Sequence, residues 1–153
     1  ITAFVGGRAI SIPIGPTLGA ARFIAWIPDV TTSTDRSRRS LGSSVDRGDA
    51  VNNIARSVQF VTAFARDDPG LLVDATDDKL HQAERLPLVP DAAEALEAGT
   101  AAGAWCGWLS GSGPTVGFLA APETAQAVAD SLPRSGHTKV LAIDLDGARV
   151  LGG

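Results

Sequence analysis

Short apolar runs with polar interruptions occupy the first thirty residues, a pattern typical of β-strands. Residues 1–5 and 8–14 form two such runs, and Gly6-Gly7 between them is a two-residue hairpin signal. Residues 21–27 form a third run, bounded by Gly19 and Pro28. We therefore predict a hairpin and then a third strand. The Ser-, Thr- and Arg-rich residues 31–48 that follow are predicted to form a loop.

The apolar period then changes from two to about 3.6, which predicts helices. Residues 49–65 form the longest, with Phe60 opposite its main stripe, so we expect this helix to be covered on two sides. Shorter helices are predicted at residues 71–80 and 91–102, and another is expected to open at Pro122. The main stripe of the long helix is Val51, Ile54, Ala55, Val58 and Thr62, widened by Val61, and that of the last helix is Ala125, Val128, Ala129 and Leu132.

Three further strands complete the pattern. Residues 104–109 and 115–120 flank a glycine-rich turn, and residues 139–145 form a closing strand followed by an Asp146-Gly147 turn. Strands and helices in this order indicate an α+β sandwich, an antiparallel sheet with helices on one face.

The length and composition are those of one ordinary globular domain: the chain has 153 residues, of which 44% are hydrophobic and 20% are charged. A net charge of −4 argues against nucleic acid as a partner. No apolar run is long enough for a membrane span, and no signal peptide is present, so we expect no membrane partner. The single cysteine, Cys106, suits a reducing compartment, and we expect a cytoplasmic location.

The start of the chain suggests that it is a piece of something longer. It contains no methionine and begins with Ile1. Initiator methionine is normally removed only before a small residue, and isoleucine is not small. We therefore do not expect Ile1 to be a native translational start.

The glycine-rich turn, Leu109-Ser-Gly-Ser-Gly-Pro-Thr115, is the first candidate for chemistry. Its glycines would allow backbone N–H groups to converge on a phosphate, although a tight β-turn has the same composition and is the reading that composition favours. No lysine follows, so this is not a P-loop.

Other polar residues give weaker signals. Two converging arginines would clamp a carboxylate bidentately, whereas most loop arginines are simply solvated. His81 has no Cys or second His at ligand spacing, and the acidic residues near it are more typical of a solvated face than of a magnesium site. We therefore expect no metal site and no identifiable catalytic residue here. The arginines considered are Arg36, Arg38, Arg39, Arg56 and Arg85, and the acidic residues are Asp74, Asp77 and Asp78.

Taken in order, several segments resemble the C-terminal half of the homoserine kinase family, a branch of the GHMP small-molecule kinases. The glycine-rich turn is similar to the third motif that GHMP kinases share, and the histidine segment with the loop arginine resembles homoserine kinases in particular. The similar segments are Ser33-Thr34 with Arg38 and Leu41, Asp49-Ala-Val-Asn-Asn53 with Arg56, and Asp78-Lys-Leu-His-Gln82 with Arg85 and Pro90.

The resemblance implies a ferredoxin-like α/β sandwich and transfer of the ATP γ-phosphate to the hydroxyl of L-homoserine, a step towards threonine. It implies that Arg38 and Arg85 grip the substrate carboxylate, with Thr34 and His81 nearby. It places the loop of Ser110, Gly111, Ser112 and Gly113 beside the nucleotide phosphates and the substrate. ATP and Mg²⁺ are the implied cofactors, and a homodimer is an implied assembly.

Two departures from the family pattern matter. Gly42 stands where the family has proline, and the ATP-binding motif of the N-terminal half is absent. We therefore predict that residues 1–19 are closing strands of a missing N-terminal ATP-binding domain, that residues 20–153 are the C-terminal domain, and that this chain alone is inactive. Two alternatives stay open: a non-catalytic amino-acid-binding module, and a GHMP kinase for another carboxylate-bearing alcohol such as mevalonate.

Overall fold

The computed structural model describes residues 2–30 and 41–147, and its first element is a separate hairpin. Strands β1 (Thr2–Val5) and β2 (Arg8–Ser11) pair antiparallel, with Val5 opposite Arg8 across the turn. Gly6 and Gly7 have φ of 56° and 76°, left-handed values that glycine adopts without strain. The hairpin prediction is confirmed, whereas its assignment to another domain stays a prediction.

A four-stranded antiparallel sheet forms the centre of the fold. Its strands are β3 (Arg22–Pro28), β4 (Cys106–Leu109), β5 (Val116–Ala120) and β6 (Gly136–Ala142), in the spatial order β4-β5-β3-β6. Strand β6 starts and ends three residues before the predicted 139–145. Gly136 pairs with Pro28, and a Cβ there would lie 2.5 Å from the carbonyl oxygen of Ile27, so the close approach requires glycine.

The helices connect these strands in the ferredoxin-like order β-α-β-β-α-β, so the predicted α+β class is confirmed. Between β3 and β4 the described residues form three helices and two 3₁₀ turns, and a single helix joins β5 to β6. A one-turn helix also precedes β3. The elements are α1 (Pro16–Gly19), α2 (Arg47–Arg66), α3 (Gln82–Arg85), α4 (Pro90–Ala101) and α5 (Ala125–Ser131), with 3₁₀ turns at Pro69–Leu72 and Leu86–Leu88.

The helix predicted at residues 71–80 is wrong. The first 3₁₀ turn ends at Leu72, and residues 73–80 form irregular turns. The Asp77 amide donates to the Asp74 carbonyl at 3.1 Å, but two amides further along donate to side chains. The amide of Lys79 donates to the Asn53 Oδ1 at 2.9 Å, and the amide of Leu80 donates to the Asp78 Oδ1 at 2.6 Å. Such local side-chain bonds compete with the helical ladder.

Two apolar clusters cover the two faces of the sheet. Helices α4 and α5 pack on the face that carries Ile24, Trp26 and Phe118. Helix α2 packs on the opposite face, where Ala63 and Phe64 meet Cys106 and Leu119. The expectation of helices on one face therefore describes α4 and α5 only. Successive strand residues point to opposite faces, and both sets here are apolar, so both faces need a cover.

The side of helix α2 that packs on the sheet is not the side that carries its main apolar stripe. The inner side carries Ala63, Phe64 and the half-buried Phe60. The stripe points outward, with Ile54 66% exposed and Val58 61% exposed. Within the described residues, no helix combines the length and apolar character that crossing a membrane would require.

The end of α2 is tied to the segment that leads into β3. Asp67 follows the helix in the left-handed conformation, with φ of 53°. Its carboxylate accepts hydrogen bonds from the backbone amides of Thr17 at 2.9 Å and Leu18 at 2.7 Å. It thereby caps α1, whose own N-cap residue, Gly15, has no side chain to do so. A Cβ at Gly15 would overlap the Asp67 carboxylate, so this contact also requires glycine.

Candidate functional site

An asparagine on α2 fixes the irregular segment that follows the first 3₁₀ turn. Asn53 donates from Nδ2 to the Asp78 Oδ1 at 2.8 Å and accepts from the Lys79 amide at 2.9 Å. The same Asp78 oxygen also accepts from the backbone amides of Leu80 at 2.6 Å and His81 at 3.3 Å. This network sets where the chain enters α3, and therefore where His81 lies.

A buried glutamine forms the second anchor. Gln82, the first residue of α3, is only 9% exposed. Its Nε2 donates to the Thr76 carbonyl at 3.0 Å, and its Oε1 accepts from the Leu109 amide at 2.6 Å. Thr76 in turn donates from its hydroxyl to the Gly107 carbonyl at 2.9 Å. The start of α3 is thus joined to the end of β4, where the glycine-rich turn begins.

The glycine-rich turn is a tight turn, as composition favoured. The Gly113 amide donates to the Ser110 carbonyl at 2.9 Å, and the Ser110 amide donates to the Thr115 carbonyl at 2.8 Å. Gly111 and Gly113 have φ of 58° and 76°. Because both amides bond within the turn, neither is directed at a ligand. The tip at Gly111 is exposed, with open space where a Cβ would lie.

Helix α3 brings the two described substrate-site candidates to this turn. His81 caps the helix and Arg85 ends it, one turn later. The Arg85 Nη1 donates to the Gly111 carbonyl at 3.1 Å. His81, Arg85 and the turn of residues 110–113 therefore meet at one end of the sheet. The other two candidates, Thr34 and Arg38, lie outside the described residues. Their roles, like those of His81 and Arg85, stay predictions.

His81 is held neutral by its surroundings. Burial is the largest cause that lowers its pKa from the ordinary 6.5, and Arg85 lowers it further. Asp78 opposes them, since its Oδ2 lies 2.6 Å from the His81 Nε2. The His81 Nδ1 is buried and has no hydrogen-bond partner among the described residues. A neutral imidazole has one donor and one acceptor, and here Nε2 faces the Asp78 carboxylate.

Two cavities meet at His81. The larger, about 430 Å³, is bordered by His81, Arg85 and Lys79 and opens towards Gly42 and the N-terminus of α2. The smaller, about 200 Å³, lies on the α2 side. Its arginine, Arg56, is already engaged, with Nη1 donating to the Gln59 Oε1 at 2.9 Å and Nη2 lying 3.7 Å from the Asp77 Oδ2. The larger cavity is lined by the cations Lys79 and Arg85 and by the carboxylates Asp46, Asp49 and Glu84.

The acidic residues do not form a metal centre. Across residues 2–30 and 41–147, no three His, Cys, Asp or Glu side chains come together as ligands. Asp78 accepts from Asn53, and Asp77 lies beside Arg56, so both carboxylates face protein partners. The expectation that this chain has no metal site stays a prediction.

Sequence reasoning did not place Asn53 or Gln82 in the site. The sequence pattern places Asn53 and Gln82 in family-like segments. It assigns no role to Asn53 and does not indicate that Gln82 is buried. The available signal was the asparagine itself, since an asparagine in the second turn of a helix is unfavourable unless its side chain finds a partner elsewhere.

Comparisons with known proteins agree with this geometry. The family profile described as GHMP kinases C terminal matches residues 60–138. A homoserine kinase from Desulfitobacterium hafniense is 38% identical over 135 residues, covering 84% of this chain and 46% of that protein. A homoserine kinase from Moorella thermoacetica is 44% identical over 116 residues, covering 74% of this chain and 39% of that protein.

Structural comparison agrees on the fold. The crystal structure of homoserine kinase from Cytophaga hutchinsonii superimposes with a TM-score of 0.79 at 21% identity, covering 88% of this chain and 44% of that one. The chain thus spans about half the length, or less, of these relatives. The profile match and the shared fold show that the chain belongs to the GHMP kinase family, of which it carries the C-terminal region.

Proposed function

We propose that the protein carrying this chain is a homoserine kinase, which transfers the γ-phosphate of ATP to the hydroxyl of L-homoserine. The observation that carries this proposal is that His81 and Arg85 line one cavity of about 430 Å³, while Arg85 also donates to the Gly111 carbonyl of the glycine-rich turn. The homoserine kinases matched at 38% and 44% identity support the choice of substrate. The reaction would place the protein in the cytoplasm, on a route towards threonine.

Arg85 and His81 take different parts in binding the substrate. Arg85 pairs with the substrate carboxylate, since a guanidinium presents two parallel donors to one carboxylate. Its bond to the Gly111 carbonyl holds it at the mouth of the cavity. Arg38 is proposed as the second carboxylate partner, with Thr34 beside it. His81 lies beside the substrate in the wall of the same cavity, with its Nε2 held by Asp78.

The nucleotide half of the site is proposed to come from an N-terminal half of the same protein. The Ser110 and Gly113 amides bond within their own turn, so neither is available to a phosphate. Mg²⁺ is proposed to be held mainly by that N-terminal half. The turn borders the phosphates without cradling them. ATP supplies the transferable phosphoryl group, and phosphoryl transfer depends mainly on positioning and electrostatics, which the arginines supply on the substrate side.

The test is a phosphotransfer assay on the product of the complete reading frame. We expect ADP formation with L-homoserine and little with mevalonate or a sugar, and no turnover by residues 1–153 alone. Turnover with mevalonate instead, or binding of homoserine without turnover, would favour one of the two alternatives considered above.

Arg85→Gln tests the assigned residue. A hydrogen bond to a charged group contributes roughly 1.5–3 kcal/mol, so we expect KM for homoserine to rise about 10- to 150-fold with KM for ATP little changed. Arg134→Gln, an exposed arginine beyond α5, is the matched control and should behave as the parent. An unchanged KM for homoserine in Arg85→Gln would contradict the carboxylate assignment.

A further inference from the structure

Helix α3, which carries Arg85, is too short to hold its own position. It has four residues, and the Arg85 amide donates to the His81 carbonyl at 3.1 Å. A single helical turn is unstable by itself, because nucleation fixes several residues for one hydrogen bond. Ala83 and Glu84 on its outer side are exposed. The place of Arg85 therefore depends on side-chain contacts that α3 makes with the rest of the fold.

The side chains at both ends of α3 bond to one segment, the end of β4 and the glycine-rich turn. At the first residue, the Gln82 Oε1 accepts from the Leu109 amide at 2.6 Å. At the last residue, the Arg85 Nη1 donates to the Gly111 carbonyl at 3.1 Å. Because the two bonds join residues three apart on α3 to residues two apart on the segment, neither part can shift far without carrying the other or breaking a bond.

Of these two bonds, the one made by Gln82 is the more persistent. Gln82 is 9% exposed and Leu109 is 2% exposed, so no water replaces the bond when it breaks. The Gln82 Nε2 also donates to the Thr76 carbonyl at 3.0 Å, and a rotation of the side chain would lose both bonds. The bond from Arg85 to Gly111 is exposed and competes with water.

The glycine-rich turn is itself closed by internal bonds. The Gly113 amide donates to the Ser110 carbonyl at 2.9 Å, and the Ser110 amide donates to the Thr115 carbonyl at 2.8 Å. A Cβ at Gly113 would lie 3.0 Å from the Leu109 Cδ1, so the turn folds back closely on the residue that Gln82 holds. A displacement of the turn is therefore passed to Leu109, and through Gln82 to α3.

We propose that Gln82 is a positioning residue that makes α3 and the glycine-rich turn one unit, so that the nucleotide and the substrate carboxylate bind cooperatively. The inference rests on the proposed function, in which the turn borders the nucleotide phosphates and Arg85 pairs with the carboxylate. A nucleotide that settles the turn also settles Arg85, and the carboxylate then binds to a group that is already ordered.

The first test measures this coupling by calorimetry on the product of the complete reading frame. The dissociation constant of L-homoserine is measured with and without adenylyl imidodiphosphate and Mg²⁺, a nucleotide that is not turned over. In the parent, we expect the nucleotide analogue to tighten homoserine binding at least about fivefold. In Gln82→Met, the same ratio should fall to within about twofold of one. Linkage requires homoserine to change the affinity for the analogue by the same factor.

Trp26→Phe is the matched control for lost stability. It removes the bond from the Trp26 Nε1 to the Pro133 carbonyl at 2.9 Å, and Trp26 is fully buried on the face that packs against α4 and α5. The variant loses a buried hydrogen bond, as Gln82→Met does, but touches neither α3 nor the turn. It should therefore keep the coupling ratio of the parent.

Gln82→Glu tests the link in a second way and does not depend on the folding of Gln82→Met. Burial raises the pKa of a carboxyl group, and the protonated group can accept from the Leu109 amide and donate to the Thr76 carbonyl as the amide does. The ionised group cannot donate to Thr76. The coupling ratio of Gln82→Glu should therefore be larger at about pH 6 than at about pH 8, with the parent measured at both as the reference.

The second test measures the link without any substrate, by hydrogen exchange of the same proteins. In Gln82→Met, the backbone amides of residues 110–113 and 83–86 should exchange roughly 2- to 12-fold faster than in the parent, because one hydrogen bond no longer opposes local opening. In Trp26→Phe, these amides should exchange at the rates of the parent. The amides of Ser110, Gly113 and Arg85 are informative because Gln82→Met leaves their own acceptors in place.

Three results would overturn the proposal. They are a parent protein without coupling, a Gln82→Met protein with the coupling of the parent, and a loss of coupling in Trp26→Phe equal to that in Gln82→Met. A parent that neither binds nor phosphorylates homoserine would refute the proposed function and the coupling with it. The exchange rates would then still decide whether Gln82 joins α3 to the turn, and unchanged rates in Gln82→Met would show that it does not.

Discussion

Gln82→Met would test whether one buried side chain holds the site together. Methionine is close to glutamine in volume and flexible, so the substitution removes the amide without leaving a large cavity. Two hydrogen bonds are lost, to the Thr76 carbonyl and from the Leu109 amide. Each contributes roughly 0.5–1.5 kcal/mol, and the buried Leu109 amide left unpaired costs roughly 1–3 kcal/mol more. We expect the free energy of unfolding to fall by about 2–6 kcal/mol.

The assay is urea unfolding of the 153-residue chain with Gln126→Met as the matched control. Gln126 is exposed on α5 and makes one surface hydrogen bond, from Nε2 to the Asp130 Oδ1 at 2.8 Å. Its replacement should change stability by no more than about 0.5 kcal/mol. The urea dependence should be the same in all three proteins, so that midpoints report stability. A loss below about 1 kcal/mol in Gln82→Met, or one equal to the control's, would refute the anchoring role.

Three further predictions follow from neighbouring contacts. Asn53→Ala should lower the free energy of unfolding, measured by urea melts, by roughly 1–3 kcal/mol, because two hydrogen bonds are lost. The control, Asn52→Ala, removes one exposed hydrogen bond of 3.1 Å and should lower it by less than about 1 kcal/mol. The pKa of His81 is lowered in the folded protein, so protonation of this side chain favours the unfolded state. The free energy of unfolding should therefore fall as pH drops from 6.5 through the pKa of the folded protein. Urea midpoints of His81→Gln should show a weaker decline over the same pH range. The pKa of Asp67 is lowered from 3.8 chiefly by the Leu18 amide, so stability should be lost as pH falls through the folded value, and thermal melts of Asp67→Asn should show a weaker acid loss. A pH dependence that either variant left unchanged would assign the effect to another group.

The strand pattern was predictable because each strand of the central sheet has apolar residues on both faces and is bounded by glycine or proline. That was enough to place five of the strands, the long helix α2 and the helices α4 and α5, and so the α+β class. The ferredoxin-like arrangement was expected from the family resemblance, and the helix predicted at residues 71–80 was wrong. The closing strand was shifted because its first pair depends on how closely Gly136 approaches Ile27, which is a contact between distant segments.

The site was less predictable, for the same reason. The pattern at residues 71–80 is compatible with a helix, but Asn53 and Asp78 take the backbone amides that a helix would use. Apolar spacing also found both sides of α2 without telling which one faces the sheet. The choice depends on Phe60 meeting Trp108, with ring centroids 6.4 Å apart, and on Phe64 filling the space beside it. Which side of a helix faces the sheet depends on how side chains distant in the sequence pack together, and the local sequence pattern does not show this.

The hydrogen bonds from α1 to Asp67 attach the C-terminal end of α2 to the segment before β3. One end of this helix is held, through Asp67, by the residues that lead out of the hairpin, and Asn53 near the other end positions the segment carrying His81. The helix has 20 residues and is about 30 Å long. The segment that leads into β3 and the segment that carries His81 are therefore attached to the same helix, one near each end.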